Sequence, residues 1–296
     1  MEISKLVQDI RTNWAQGDAK RDEGLTTPDD IMRFDDISYG PYGKDNLLDI
    51  YVLKDTKTTR PTIVNIHGGG WVYGSKEVYQ FYCMLLAQRG FTVVNINYRL
   101  APETRFPGAV HDINNALKFI ENYGEKYFAD KDRIILVGDS AGGFLVSHFA
   151  TVHTNSDFAE LFGFEVAKVK VKAVGLNCGT YDGRTMALTR KDEVFLEYID
   201  CVEKAADEEL IEKVDTLKYM NDKFPPAFVM TSECDFLRDC ARPMYEHIIS
   251  LGVPAEIKIY GDRNRPAIGH VFHVDCKLEE AKICNDDECG FFRKYV

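Results

Sequence analysis

The 296-residue sequence has no run approaching the roughly 18 apolar residues that a membrane-crossing helix needs. Its opening residues, MEISKLVQDIRTNW, lack the long apolar core and small-residue cleavage site of a secretory signal. No two cysteines form a C-x-x-C pair, so zinc-ribbon and thioredoxin readings have no support. There is no internal repeat and no low-complexity segment. Positive charge is the scarcer sign: 36 Lys and Arg stand against 47 Asp and Glu, leaving a net charge of −11. Such a chain repels polyanions, which makes nucleic acid and anionic membrane surfaces poor partners. With 45% hydrophobic and 28% charged residues, it is not a disordered chain either. A cytoplasmic protein without stable membrane association is expected, its eight cysteines reduced and mostly buried.

What is present is an alternation. Short, β-branched apolar runs at Thr62–Ile66, Phe91–Asn97, Ile134–Val137, Val171–Leu176, Ala227–Met230 and Ile257–Tyr260 suit parallel strands covered on both faces. Helical patterns separate them. One starts at Pro107, with Val110, Ile113, Leu117 and Ile120 at helical spacing; another follows Ser140, and a third runs from about Leu237 to Ser250. Alternating β and α segments predict a mostly parallel, doubly wound sheet. Ile37–Tyr39 and Leu48–Leu53, joined by GPYGKDN, are expected as an antiparallel edge. The whole chain, 1–296, reads as one α/β domain. Residues 1–30 and 180–223 are helical and polar and fall outside the alternation, so they are expected to form a cap over the site.

Two glycine-rich segments carry chemistry. Residues 138–143 read GDSAGG, between the apolar run Ile134–Val137 and the helical pattern FLVSHFA. In that strand–turn–helix context G-x-S-x-G presents Ser140 as a nucleophile on a sharp turn, with the amides of the next helix facing the site of developing charge. Residues 67–71 read HGGGW, directly after the run Thr62–Ile66. Side-chain-free backbone lets several N–H groups converge on one oxyanion. Gly69, Gly70 and Ala141 are the expected donors, with the Trp71 amide as a substitute for Gly70. The Trp71 side chain is expected to face substrate, and His67 to orient the loop. A phosphate loop is disfavoured, since no GK[ST] ending follows.

HGGGW, then NYRLAPE at 97–103, then GDSAGG, together resemble the hormone-sensitive-lipase-like carboxylesterases of the α/β-hydrolase superfamily, over roughly residues 37–296. One departure is Asn97, where that family usually carries Asp. The resemblance implies the α/β-hydrolase fold, with a mostly parallel eight-stranded sheet, helices on both faces and a helical cap. It also implies a triad in the chain order Ser, Asp, His. SECDFLRD resembles the family's D-x-L-x-D segment and makes Asp235 the acid, ahead of Asp239 and Glu233. GHVFHVD matches its His-x-Phe pattern and makes His270 the base, ahead of His273; His247, in MYEHIIS, reads as a surface helix residue.

The expected activity is a serine carboxylesterase acting through an acyl-enzyme on small soluble esters: short acyl chains, acetylated sugars or aryl esters. An arylformamidase or amidase would use the same triad, and a non-catalytic small-molecule receptor on this scaffold is the reading from another class. His270, His273 and Cys276 fall at three-residue spacing, but three ligands from one segment make a thin metal site. No metal and no cofactor are expected. A homodimer is compatible with the sequence.

Overall fold

The computed structural model describes residues 3–296. An eight-stranded sheet runs through it in the order β1-β2-β4-β3-β5-β6-β7-β8. The strands are β1 (Ile31–Ser38), β2 (Leu47–Leu53), β3 (Arg60–Ile66), β4 (Thr92–Ile96), β5 (Ala129–Asp139), β6 (Val171–Asn177), β7 (Ala227–Ser232) and β8 (Ala255–Tyr260). β1 pairs antiparallel with β2, and β2 antiparallel with β4; every other pairing is parallel. The helices are α1 (Lys5–Asp22), α2 (Lys76–Gln88), α3 (Gly108–Tyr123), α4 (Ala141–Thr154), α5 (Ser156–Glu160), α6 (Gly183–Thr189), α7 (Glu193–Tyr198), α8 (Glu208–Val214), α9 (Thr216–Tyr219), α10 (Arg238–Ser250) and α11 (Glu279–Phe292).

The central strands are apolar at consecutive positions because both faces are covered. Val64, Ile66, Ile134 and Leu136 enter one core with α3, α4 and α10. Their neighbours Ile63, Ile135 and Val137 point the other way, into a second core with α2 and α11. Both β3 and β5 end at the same level, with Ile66 opposite Gly138. The loop after β3 and the turn after β5 therefore leave the sheet side by side. This carboxyl edge is where open parallel sheets commonly bind their ligands.

The antiparallel edge is longer than its sequence suggests, since β1 begins at Ile31 rather than Ile37. Arg33, Asp35 and Asp36 read as turn chemistry, but an edge strand tolerates them on its wet face. The register slips between Phe34 and Ile37, where Asp36 adopts φ 54° and its N–H donates to Asp49 Oδ1 at 2.9 Å.

Candidate active site

β5 ends at Asp139 and α4 begins at Ala141, so Ser140 alone makes the turn, at φ 52° and ψ −120°. A non-glycine residue there is strained. Neighbouring glycines permit it: a Cβ on Gly142 would lie 2.0 Å from the Ile66 carbonyl oxygen, and one on Gly138 2.5 Å from that of Gly142. Ser140 N–H donates to the Asn177 carbonyl at 2.9 Å, which ties the turn to β6.

Two distant segments meet the serine. His270 Nε2 lies 3.0 Å from Ser140 Oγ, and His270 Nδ1 lies 2.8 Å from Asp235 Oδ1. Asp235 follows β7 and is buried. It also accepts from the Thr231 hydroxyl at 2.9 Å and the Leu237 N–H at 2.8 Å. Burial pushes its carboxyl up, but the His270 hydrogen bond and charge, with the Leu237 N–H, outweigh burial and hold it below the usual carboxylate range. The Phe236 ring lies against the imidazole, centroids 4.3 Å apart.

The residues weighed against these lie elsewhere. Asp239, on α10, is 95% exposed and pairs with Arg238; Glu233 pairs with Arg238 and Arg263. His247 is half-buried on α10 instead of lying free on its surface. His273 sits in a 3₁₀ turn, Phe272–Val274, before α11 rather than within it. It is buried with neither ring nitrogen hydrogen-bonded, edge-on to Tyr82, and burial lowers it to about 3. His270, His273 and Cys276 thus share no helix face. Among the described residues, the one group with metal-like spacing is Cys178, Asp235 and His270, donor atoms within 4.8 Å, and its Asp–His pair is already hydrogen-bonded.

The HGGGW loop lies beside the turn. Gly69 and Gly70 take φ 116° and 58°, and Trp71 φ 60°. The buried Trp71 ring stacks on Tyr198 at 5.2 Å and meets Phe144 and Phe195 edge-on. His67 stacks on Tyr98 at 4.2 Å, and burial lowers its pKa to about 4, so it stays neutral. Asn97 accepts from Lys76 N–H at 2.7 Å and donates to the Lys44 carbonyl at 2.9 Å. An ionised carboxylate could accept but not donate, so the departure from Asp leaves a satisfied loop.

A cavity of about 550 Å³ opens over Ser140. Gly69, Gly70, Trp71, Ala141 and His270 line it from the sheet side; Trp14, Asp18 and Arg21 of α1, with Asp192 and Val194, line it from above. A Cβ on Gly70 would come 2.9 Å from Val194 and 3.7 Å from the Trp14 ring, so both segments reach the glycine loop. Sequence reasoning passed over α2, although Tyr79, Tyr82, Cys83 and Leu86 stand at helical spacing. It brings the Tyr79 hydroxyl beneath the site, donating to Asp139 Oδ2 at 2.8 Å. Burial pushes that carboxyl up to about 6.

Residues 48–241 match the family model BD-FAE. The chain is 37% identical over 150 residues to the probable carboxylic ester hydrolase LipM of Mycobacterium tuberculosis, covering 50% of this chain and 34% of that protein. It is 30% identical to esterase LipQ of the same organism, covering 68% of this chain and 48% of that one. It therefore spans half or less of the length of these two curated relatives. Esterase B from Lactobacillus rhamnosis shares the fold, with a TM-score of 0.86 at 25% identity over 98% of this chain and 94% of that one.

Proposed function

The chain belongs to the BD-FAE family and has the α/β-hydrolase fold, and from that premise we propose that it is a serine carboxylesterase acting on small esters. One observation carries the reading. A single imidazole lies within hydrogen-bond reach of both a strained serine hydroxyl, at 3.0 Å, and a buried carboxylate, at 2.8 Å. Burial alone pushes the acid's pKa up; the partnership with the imidazole outweighs it, so the acid stays charged and fixes the imidazole tautomer.

In this reaction His270 Nε2 takes the Ser140 proton as Oγ bonds to the ester carbonyl carbon. Asp235 offsets the positive charge on the ring. The carbonyl π electrons move onto oxygen, which we assign to the amides of Gly69, Gly70 and Ala141. Collapse expels the alcohol, protonated by His270, and leaves an acyl-serine. Water, deprotonated by the same imidazole, then releases the acid. Losing one oxyanion donor typically costs about 3 kcal/mol.

A short acyl group fits best. The cavity of about 550 Å³ lies within the common range for small-molecule sites. Its outer wall sets Asp18, Arg21 and Asp192 among the apolar side chains of Trp14 and Val194, a mixed wall over the serine and not the broad apolar face that would seat a lipid film. We assign these segments as a cap. The test is a panel of p-nitrophenyl esters from C2 to C16, acetylated sugars, feruloyl esters and N-formyl aromatics. The expected kcat/KM peaks at about two to six acyl carbons, each added CH₂ gaining roughly 0.8 kcal/mol until the wall is met. Rates that rise into the long chains would make the protein a lipase. Exclusive turnover of N-formyl aromatics would make it a formamidase.

A further inference from the structure

The Tyr79 hydroxyl stands between the two loops that must cooperate. It accepts the N–H of Gly68, the first glycine of HGGGW, at 3.1 Å. It donates to Asp139 Oδ2, the residue before the nucleophile, at 2.8 Å. The loops touch at this point: a Cβ on Gly68 would lie 2.5 Å from Asp139 Oδ2 and 2.9 Å from the Asp139 carbonyl oxygen. Tyr79 is itself fixed by α2 and buried, and its ring lies 5.9 Å from that of His67. Neither Tyr79 nor Asp139 is needed for the proton transfers described above.

We propose that Tyr79 and Asp139 form a positioning pin, which sets the distance between the oxyanion-binding amides and Ser140. The inference rests on the esterase reading. Gly69 and Gly70 hold left-handed conformations just after the bond to Tyr79. A shift at Gly68 therefore passes directly to the amides that face the oxyanion. Gly142 limits the approach from the other side, because backbone of Ile66 and His67 already lies against it. With one contact setting how near the loops come and the hydroxyl setting how far they part, the gap has one value. Ser140 Oγ is held separately by His270, and Asp235 by Thr231 and Leu237. Loosening the pin should therefore weaken transition-state binding while sparing substrate binding and nucleophile activation.

Tyr79→Phe removes the hydroxyl and keeps the ring. The expected result is a fall in kcat of about tenfold with KM nearly unchanged, the pattern for an interaction made mainly in the transition state. Affinity for a trifluoromethyl ketone, which forms a tetrahedral oxyanion on the serine, should fall by the same factor. Asp139→Leu should reproduce the defect. Asp139→Asn, whose amide oxygen still accepts from Tyr79, should recover most of the activity. The inference is overturned if Tyr79→Phe and Asp139→Leu lower the melting temperature yet keep wild-type kcat and ketone affinity. It is equally overturned if kcat and KM move together, or if Asp139→Asn is as impaired as Asp139→Leu. A wild-type chain that hydrolyses no ester removes the esterase reading and this inference with it; an active wild type with an unaffected Tyr79→Phe removes the inference alone.

Discussion

Asp235 and Asp239 lie four residues apart in one acidic stretch, yet their surroundings give them opposite expectations. Asp235 is buried against His270, Thr231 and the Leu237 N–H, whereas Asp239 projects from α10 into solvent. Asp235→Asn should leave the fold intact and lower kcat by about 10⁴, because a neutral amide neither offsets the charge on the imidazole nor fixes its tautomer. Asp239→Asn should leave turnover unchanged. Parallel steady-state kinetics on a short-chain ester check both, and the reverse ranking would move the acid. At this scale the sequence was informative wherever a residue type does unusual work. A serine ringed by glycines and a histidine after a glycine near the end of the fold both stand out. Thr231, Cys178 and Tyr79 do not. Each is an ordinary strand, loop or helix residue until the sheet brings β6, β7 and α2 to one edge.

The elements were legible in proportion to how completely they are buried. β3, β6 and β7 are apolar on both faces, and their runs could be read to within two residues at each end; β5 could be read only at Ile134–Val137, because it begins at Ala129 with the polar, partly exposed stretch Asp130–Arg133. β1 could not, since its outer face carries Arg33, Asp35 and Asp36. α2 shows helical spacing, but it follows a glycine loop that drew attention to itself. α1 buries only Val7 and Ile10. Polar contacts hold the rest: Arg11 pairs with Glu103 at 2.7 Å and bonds the carbonyls of Val72 and Ala101, while Arg21 reaches the carbonyl of Val78. Tyr73 donates to Asp18 at 2.7 Å. Deleting residues 1–22 should therefore leave the sheet folded while removing one wall of the cavity. The expected outcome is a higher KM on short esters and a chain-length optimum moved toward longer acyl groups, measured across the p-nitrophenyl series. An unchanged profile would mean that α1 is no part of the cap.

The whole molecule carries buried acids behind the site whose ionisation bears on its stability. Glu288, on α11, accepts from the Asn177 amide at 2.8 Å, and burial pushes its carboxyl up to about 7 from an ordinary value of 4.5. Its raised folded value makes the linkage favourable in acid. The stabilisation is fully present below about pH 4.5 and is lost as pH rises through about 7, because the folded protein holds a proton that the unfolded chain releases. Glu288→Gln keeps an acceptor for Asn177 without that proton. Urea unfolding at pH 5 and pH 8 should show wild type losing about 1–3 kcal/mol more than the variant across the interval; equal losses would mean that Glu288 titrates alike in both states. The central claim is more direct, that one serine among all those in the chain is the nucleophile. It is tested by treating wild type and Ser140→Ala with a short-chain phosphonate ester, locating the adduct by peptide mass mapping and measuring ester turnover on the same samples. The account predicts a single adduct at Ser140, none in the variant, and a loss of turnover of at least roughly 10⁴. An adduct elsewhere, or a variant that keeps more than about a hundredth of wild-type turnover, would contradict it.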